Sequence, residues 1–151
     1  MQKIHFSKFI NAPKEKVWDT MLSLEGYKAW TAPFCVGSYF VGDWSEGSEM
    51  KFLGPNPETG KEGGMYSRVR ENRPHEFVSV EHLGFINEGV VDTTSEEVKK
   101  WTPAFENYTF VEKDGGTEVL VDMDINEEMK TEFEEMWSKA LDILKNLSET
   151  A

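Results

Sequence analysis

Residues 126–148 constrain this chain more than any other stretch. Met129, Phe133, Met136, Trp137, Ala140, Leu141, Leu144 and Leu147 recur at spacings of three and four, the period of one helix face. With Ile143 they form an apolar stripe broad enough to need a large partner surface. The opposite face carries Glu132, Glu134, Glu135, Ser138, Lys139, Asp142 and Lys145. Asn126 is placed to cap the amino end, Glu127 and Glu128 suit its positive dipole, and Lys145 suits the negative end. The spacing predicts a helix of about six turns. Nothing upstream matches it in length, and the preceding chain reads mostly as strands. The rest of the molecule is therefore expected to be a curved sheet that holds this helix.

The strand pattern fills in that expectation. Ile4 and Phe6, with Lys8 in step, alternate with His5, Ser7 and Phe9 in a first strand running to about Ile10. Pro13 opens a helix over residues 14–22 with Val17, Trp18, Met21 and Leu22 on its buried side. Gly26 interrupts, and residues 27–30 make a second short helical turn. Residues 37–41 and 48–53 read as a hairpin, and residues 54–64 as a Pro- and Gly-containing loop. Residues 65–71 and 77–83 form a second hairpin across Asn72-Arg73-Pro74-His75, with Glu71 facing Glu76 or a near neighbour. Its inner face is expected to carry Met65, Ser67, Val69, Val78, Val80 and His82, and its outer face Arg68, Arg70, Ser79 and Glu81. Residues 84–102 break the strand rhythm, with Ser95 capping a short helical turn that Pro103 ends. Residues 105–111 and 117–125 form a last hairpin, with Tyr108 and Phe110 inward beside Val119, Val121 and Met123. Asn107, Thr109, Glu118, Leu120, Asp122 and Asp124 face out. About six or seven antiparallel strands, two short helices after the first and a long terminal helix make an α+β fold in one domain, residues 1–151.

Charge and cysteine content narrow the function classes. A formal net charge of −12 opposes nucleic acid and anionic membrane surfaces. The amino terminus alternates polar and apolar residues, so neither a signal peptide nor a membrane anchor is expected there. The lone cysteine, Cys35, excludes an internal disulfide and fits a reducing, cytoplasmic setting.

Several residues together resemble a known family. Asn11-Ala12-Pro13, then Glu15, Val17-Trp18 and Trp30, are similar to the opening of START-like (SRPBCC) domains. Within these the chain most resembles the single-domain branch named after the activator of heat-shock protein 90 ATPase. Glu71 with Pro74, Gly115-Gly116-Thr117 and Trp137 fit in order. The resemblance implies a helix-grip fold, with a curved sheet wrapped around a carboxy-terminal helix and often an apolar cavity between them. Members include lipid carriers, cyclases, hormone receptors and co-chaperone domains, so the resemblance bears on architecture more than chemistry.

Candidate site residues follow from the inward positions. Met50, Phe52, Met65, Val80, His82, Tyr108, Phe110, Met123, Met129, Phe133 and Trp137, with Met136, are expected to crowd the space between sheet and helix. Methionines and aromatics adapt to irregular apolar ligands, and they also simply fill cores. If a pocket exists, it belongs under the first half of the terminal helix, residues 129–137. His82 would orient a ligand carbonyl or act as a base, with Tyr108 its natural partner; a buried histidine satisfied by a neighbour is the plainer alternative. His5, His75, His82 and Cys35 lack zinc spacings, no Gly-x-Ser-x-Gly elbow is present, and no glycine run resembles a phosphate loop, so no metal or cofactor is expected. Arg68, Arg70 and Arg73, interleaved with Glu71, Glu76 and Glu81, read as a charge-paired outer face. Residues 84–103 are either a lid over one cavity mouth or a packed insertion.

Three functions remain in play. The leading one is a small protein binding an apolar or aromatic molecule, monomeric or weakly homodimeric. A cyclase- or hydrolase-type enzyme would use His82 and Tyr108 in the same cavity. A co-chaperone-like interaction domain would show an exposed Trp44 or Trp101 patch, and the amino-terminal domain through which chaperone activators engage their client is not expected in this chain.

Overall fold

The computed structural model describes residues 2–56 and 58–150; Met1, Pro57 and Ala151 lie outside the described residues, and with Pro57 so does that part of the expected 54–64 loop. Among the described residues, eight strands form one antiparallel sheet. They are β1 (Gln2–Ile10), β2 (Tyr39–Val41), β3 (Glu49–Pro55), β4 (Glu62–Arg73), β5 (Phe77–Asn87), β6 (Val90–Asp92), β7 (Ala104–Lys113) and β8 (Gly116–Ile125). Their spatial order is β1-β8-β7-β5-β4-β3-β2, with β6 attached to the far half of β5. The helices are α1 (Lys14–Leu22), α2 (Leu24–Trp30), α3 (Glu96–Lys99) and the long α4 (Lys130–Glu149). This is the expected α+β arrangement of curved sheet, two short helices after the first strand and a long terminal helix, with one more strand than expected.

The added strand is a correction with a clear cause. Residues 84–102 do not break the sheet at once: β5 runs on to Asn87, turns through Glu88 and Gly89, and returns as β6. Both turn residues have positive φ, 49° and 85°, the geometry of a tight two-residue hairpin. Gly84, which reads as a breaker, instead lets β6 approach, since a Cβ there would stand 2.0 Å from the Asp92 carbonyl oxygen. The Ser95 cap forms as expected, its Oγ accepting from the Val98 N–H.

Further boundaries differ: β3 runs on to Pro55 and β4 starts at Glu62, so both ends of the expected 54–64 loop are strand, and the strand expected over 37–41 starts at Tyr39. Helix α2 starts at Leu24, before Gly26, because the Ser23 hydroxyl caps it at the Gly26 N–H. Gly26 does not interrupt the helix; it permits contact with α1, where a Cβ would fall 1.7 Å from the Thr20 carbonyl oxygen. The β4–β5 hairpin turns over Pro74-His75-Glu76, which pairs Arg73 with Phe77 and so sets Glu71 opposite Ser79 and not Glu76; register shifts follow further along, at Val69/Glu71 and Tyr66/Ser67. Ser79 is buried, against its expected outward place. Ser67, Val69, Val78, Val80 and His82 are buried together.

The terminal helix begins with a 3₁₀ turn, Glu127–Met129, capped by Asn126 Oδ1 accepting from the Glu128 N–H, and continues as α4. Trp137, Ala140, Leu141 and Leu144 are buried against α1, α2 and β1. Leu147, expected on the stripe, is exposed, and Ser148 takes the buried place beyond Leu144. Lys8 of β1 reaches Asp142 at 2.5 Å, fixing the helix along that strand. On the outer face Arg70 pairs with Glu81 at 3.3 Å and Arg73 with Glu71 at 2.8 Å, the charge-paired surface read from the sequence.

Candidate functional site

A cavity of about 1000 Å³ lies between the concave sheet and the amino-terminal half of the terminal helix. The sheet contributes Phe52, Met65, Val80, His82, Glu106, Tyr108 and Met123, and the helix Met129, Phe133 and Trp137. Helix α2 and the turn after it add Tyr27, Trp30 and Phe34. One end is walled by Phe85, Ile86 and Trp101, with the Phe85 and Trp101 rings packed at a tilt, centroids 4.4 Å apart.

Nine of the eleven candidate residues therefore face this space, and two do not. Met50 is fully buried opposite Ser67, but the turn after β2 folds over it so closely that a Cβ on Gly42 would meet its sulfur at 2.3 Å. Phe110 lies further along the sheet, where α1 covers it and Trp18 packs edge-on at 5.2 Å. Met136 also stays out of the lining. Under residues 129–137 the bulky rings pack both on each other and on the sheet, where Trp137 stacks on Phe6 at 5.8 Å and meets Tyr108 edge-on at 6.1 Å. Trp137 lies 5.5 Å from Trp30 and 5.2 Å from Phe34, while its indole N–H meets the Met123 sulfur at 3.1 Å.

The polar groups of the cavity are concentrated on its sheet side. Ser67 Oγ lies 2.7 Å from His82 Nδ1, and His82 Nε2 lies 3.1 Å from Glu106 Oε1. The Tyr108 hydroxyl donates to the other Glu106 oxygen. With the proton on Nε2 the whole chain is satisfied: Ser67 donates to His82, and His82 and Tyr108 both donate to Glu106. Burial, then the charge of Glu106, pushes the Tyr108 phenol well above its ordinary value. The Tyr27 phenol is raised for the same two reasons, burial first.

His82 and Tyr108 thus meet through Glu106, which sequence reasoning missed, as it missed Tyr27, Trp30 and Phe34. A signal existed for each. Glu106 shares strand parity with Tyr108 and Phe110, and positions 27, 30 and 34 follow helical spacing. The Ser-His-Glu sequence of contacts is not a nucleophilic triad. Ser67 is 0 % exposed and does not line the cavity, so no substrate reaches its oxygen. What the cluster can do is accept a hydrogen bond at Glu106.

Trp44 is buried against Phe40 and Phe52, and Trp101 packs on Phe85, so neither supplies the exposed tryptophan patch that an interaction domain would show. Among the described residues, no group of three or more His, Cys, Asp or Glu side chains is placed to hold a metal ion. No helix among them is long and apolar enough to cross a membrane.

A family model described as "Activator of Hsp90 ATPase homolog 1-like protein" matches residues 11–149. The chain belongs to this family. The matched residues run from the Ala-Pro opening through β2 to β8 and the terminal tryptophan helix as one unit of sequence. Solved structures agree on the fold. The Aha1 dimer of Colwellia psychrerythraea superposes with a TM-score of 0.71 at 18% identity, covering 99% of this chain and 97% of that one. A protein from Cytophaga hutchinsonii gives 0.71 at 21% identity, over 99% and 94%. CalU16 from Micromonospora echinospora gives 0.66 at 16% identity, over 97% and 76%. The curated proteins contain no match.

Proposed function

We propose that this activator-of-Hsp90-ATPase-like protein binds an apolar or aromatic small molecule in the cavity beneath the first half of its terminal helix. The observation that carries the reading is the cavity itself. At about 1000 Å³, walled by aromatic and methionine side chains with a few convergent polar groups, it has the size and character of a small-molecule site and not of a packing defect. The chain acts as one domain with a single ligand, and Trp101 closes one end of the cavity from a segment that β6 pairing and the buried Val98 fasten to β5. Its lone thiol suits the cytoplasm. A weak homodimer is in keeping with the dimer formed by the Colwellia Aha1 protein.

Titration with the neutral aromatic probe N-phenyl-1-naphthylamine tests the reading. Saturable one-to-one binding, with quenching of emission from Trp30 and Trp137, is the expected result. No saturable binding, together with a native mass spectrum of the bare chain after mild extraction, would sink it.

The enzyme reading retains one observation, a carboxylate, an imidazole and a phenol in contact inside a cavity. These groups suit proton transfer to a bound molecule, not covalent catalysis. Turnover of the natural ligand, once extracted and identified by mass, decides between carriage and chemistry.

A further inference from the structure

We infer that the cavity selects an amphiphilic cation, a molecule with an apolar or aromatic body and a protonated amine seated against Glu106. This rests on the cavity-binding reading above and gives the ligand its charge.

The donor and acceptor inventory is the first ground. A carboxylate offers about four lone-pair sites. Glu106 spends one on the Tyr108 hydroxyl and one on His82 Nε2–H. The donors of Ser67, His82 and Tyr108 are all committed within the cluster. What it leaves over, facing the cavity, is acceptor capacity on a carboxylate whose side chain is only 18% exposed. A buried carboxylate with spare lone pairs is stabilised by a further donor, and most by a charged one.

The second ground is the ring set around it. Trp30, Tyr108 and Trp137 pack together edge-on or tilted with centroids 5.5–6.3 Å apart, and all three line the cavity. Their faces carry negative quadrupole density, which attracts an ammonium group.

The third ground is the rim. Glu62, Glu88, Glu97 and Asp124 line the cavity, and Lys61, the one lysine or arginine in its described lining, lies 3.4 Å from Glu88. A carboxylate- or phosphate-headed lipid would meet like charge at the rim and again at Glu106, with no uncommitted cation to receive it. A cation is drawn in by the same field.

Three probes of equal chain length separate the claims: decylamine, decanol and decanoate, each below its aggregation limit, followed by tryptophan emission. Near neutral pH the amine is protonated. The wild-type protein is expected to bind decylamine about tenfold more tightly than decanoate, with decanol between them. In Glu106→Gln, which keeps shape and removes charge, the ratio of decylamine to decanoate affinity should shrink to about twofold. Repeating the series in about 1 M salt, where the Debye length is about 3 Å, removes the contribution of overall charge, and the preference should persist. Decanoate binding as tightly as decylamine in the wild-type protein overturns the inference whatever the variant's folding. So does a preference that survives Glu106→Gln or vanishes in salt. Decanol binding without any amine preference leaves the cavity reading intact and removes only the charge selection. Failure of all three probes to bind overturns both.

Discussion

Ser148 is 1% exposed near the end of α4, and its hydroxyl has no partner among the described residues. An unpaired buried hydroxyl costs about 1–3 kcal/mol relative to its hydrated state, and serine is a poorer helix former than alanine. Ser148→Ala is therefore expected to stabilise the protein by about 1 kcal/mol, raising Tm by about 2–4 °C. A melt at or below the wild-type temperature would show that the hydroxyl is satisfied in solution. The phenols make a second residue-scale prediction. Tyr27 and Tyr108 are both raised, chiefly by burial and then by Glu106. Their folded-state pKa values lie above the unfolded value of 10.0, so their contribution to stability is whole below that pH and is lost as pH rises through the folded values. Tyrosinate absorbance followed upward in pH should show the half-exposed Tyr39 and Tyr66, which are raised chiefly by their hydrogen bonds to Glu62 and Glu49, ionising with the near-ultraviolet dichroism intact. The other two should ionise only as that signal collapses. Glu106 shows why single residues are hard to read from sequence. In a chain with 28 acidic residues a carboxylate carries no distinguishing mark. Only its parity with Tyr108 separates it from Asn107 and from the outward acids of β8.

At the scale of elements, periodicity was legible wherever one face is buried and the other wet. Helix α1 has the expected bounds and buried set, and the β7–β8 hairpin places Tyr108 opposite Val121 and Phe110 opposite Val119 as its alternation requires. Legibility failed at β5–β6, where glycine admits a neighbouring backbone and looks the same in sequence as a break. It failed at the start of α2, where Gly26 reads as an interruption although the helix already begins at Leu24. The terminal helix was clear in extent but concealed a division of labour. Residues 140–144 pack into the core, whereas the 3₁₀ turn and Phe133 stand over the cavity with only one capping side chain, Asn126, at the entry. Amide exchange should therefore be fastest over residues 127–133 and slowest over residues 140–144. Asn126→Ala should cost about 1 kcal/mol and widen that gap, leaving the carboxy-terminal half unchanged. Uniform protection along the helix would contradict the division.

For the whole molecule the question is whether the interior is closed, and residue spacing cannot answer it. The same Met- and aromatic-rich inner face either fills a core or lines a space, because packing depends on ring orientations set in three dimensions. Two valines discriminate. Val80 on β5 and Val121 on β8 are both buried, at 2% and 0% exposure, but Val80 lines the cavity and Val121 does not. Enlarging a packed residue forces neighbours off their rotamers at about 1–3 kcal/mol or more. Enlarging one that faces open space adds apolar contact and forces nothing. Val121→Phe is expected to lose about 2–3 kcal/mol in urea denaturation. Val80→Phe should stay within ~1 kcal/mol of the wild type and weaken N-phenyl-1-naphthylamine binding by about tenfold, since each 1.4 kcal/mol of lost contact is a factor of ten. Equal destabilisation by the two substitutions would mean that the sheet and helix close on each other in solution. A stable Val80→Phe protein that still takes the probe at wild-type affinity would move the ligand elsewhere on the surface.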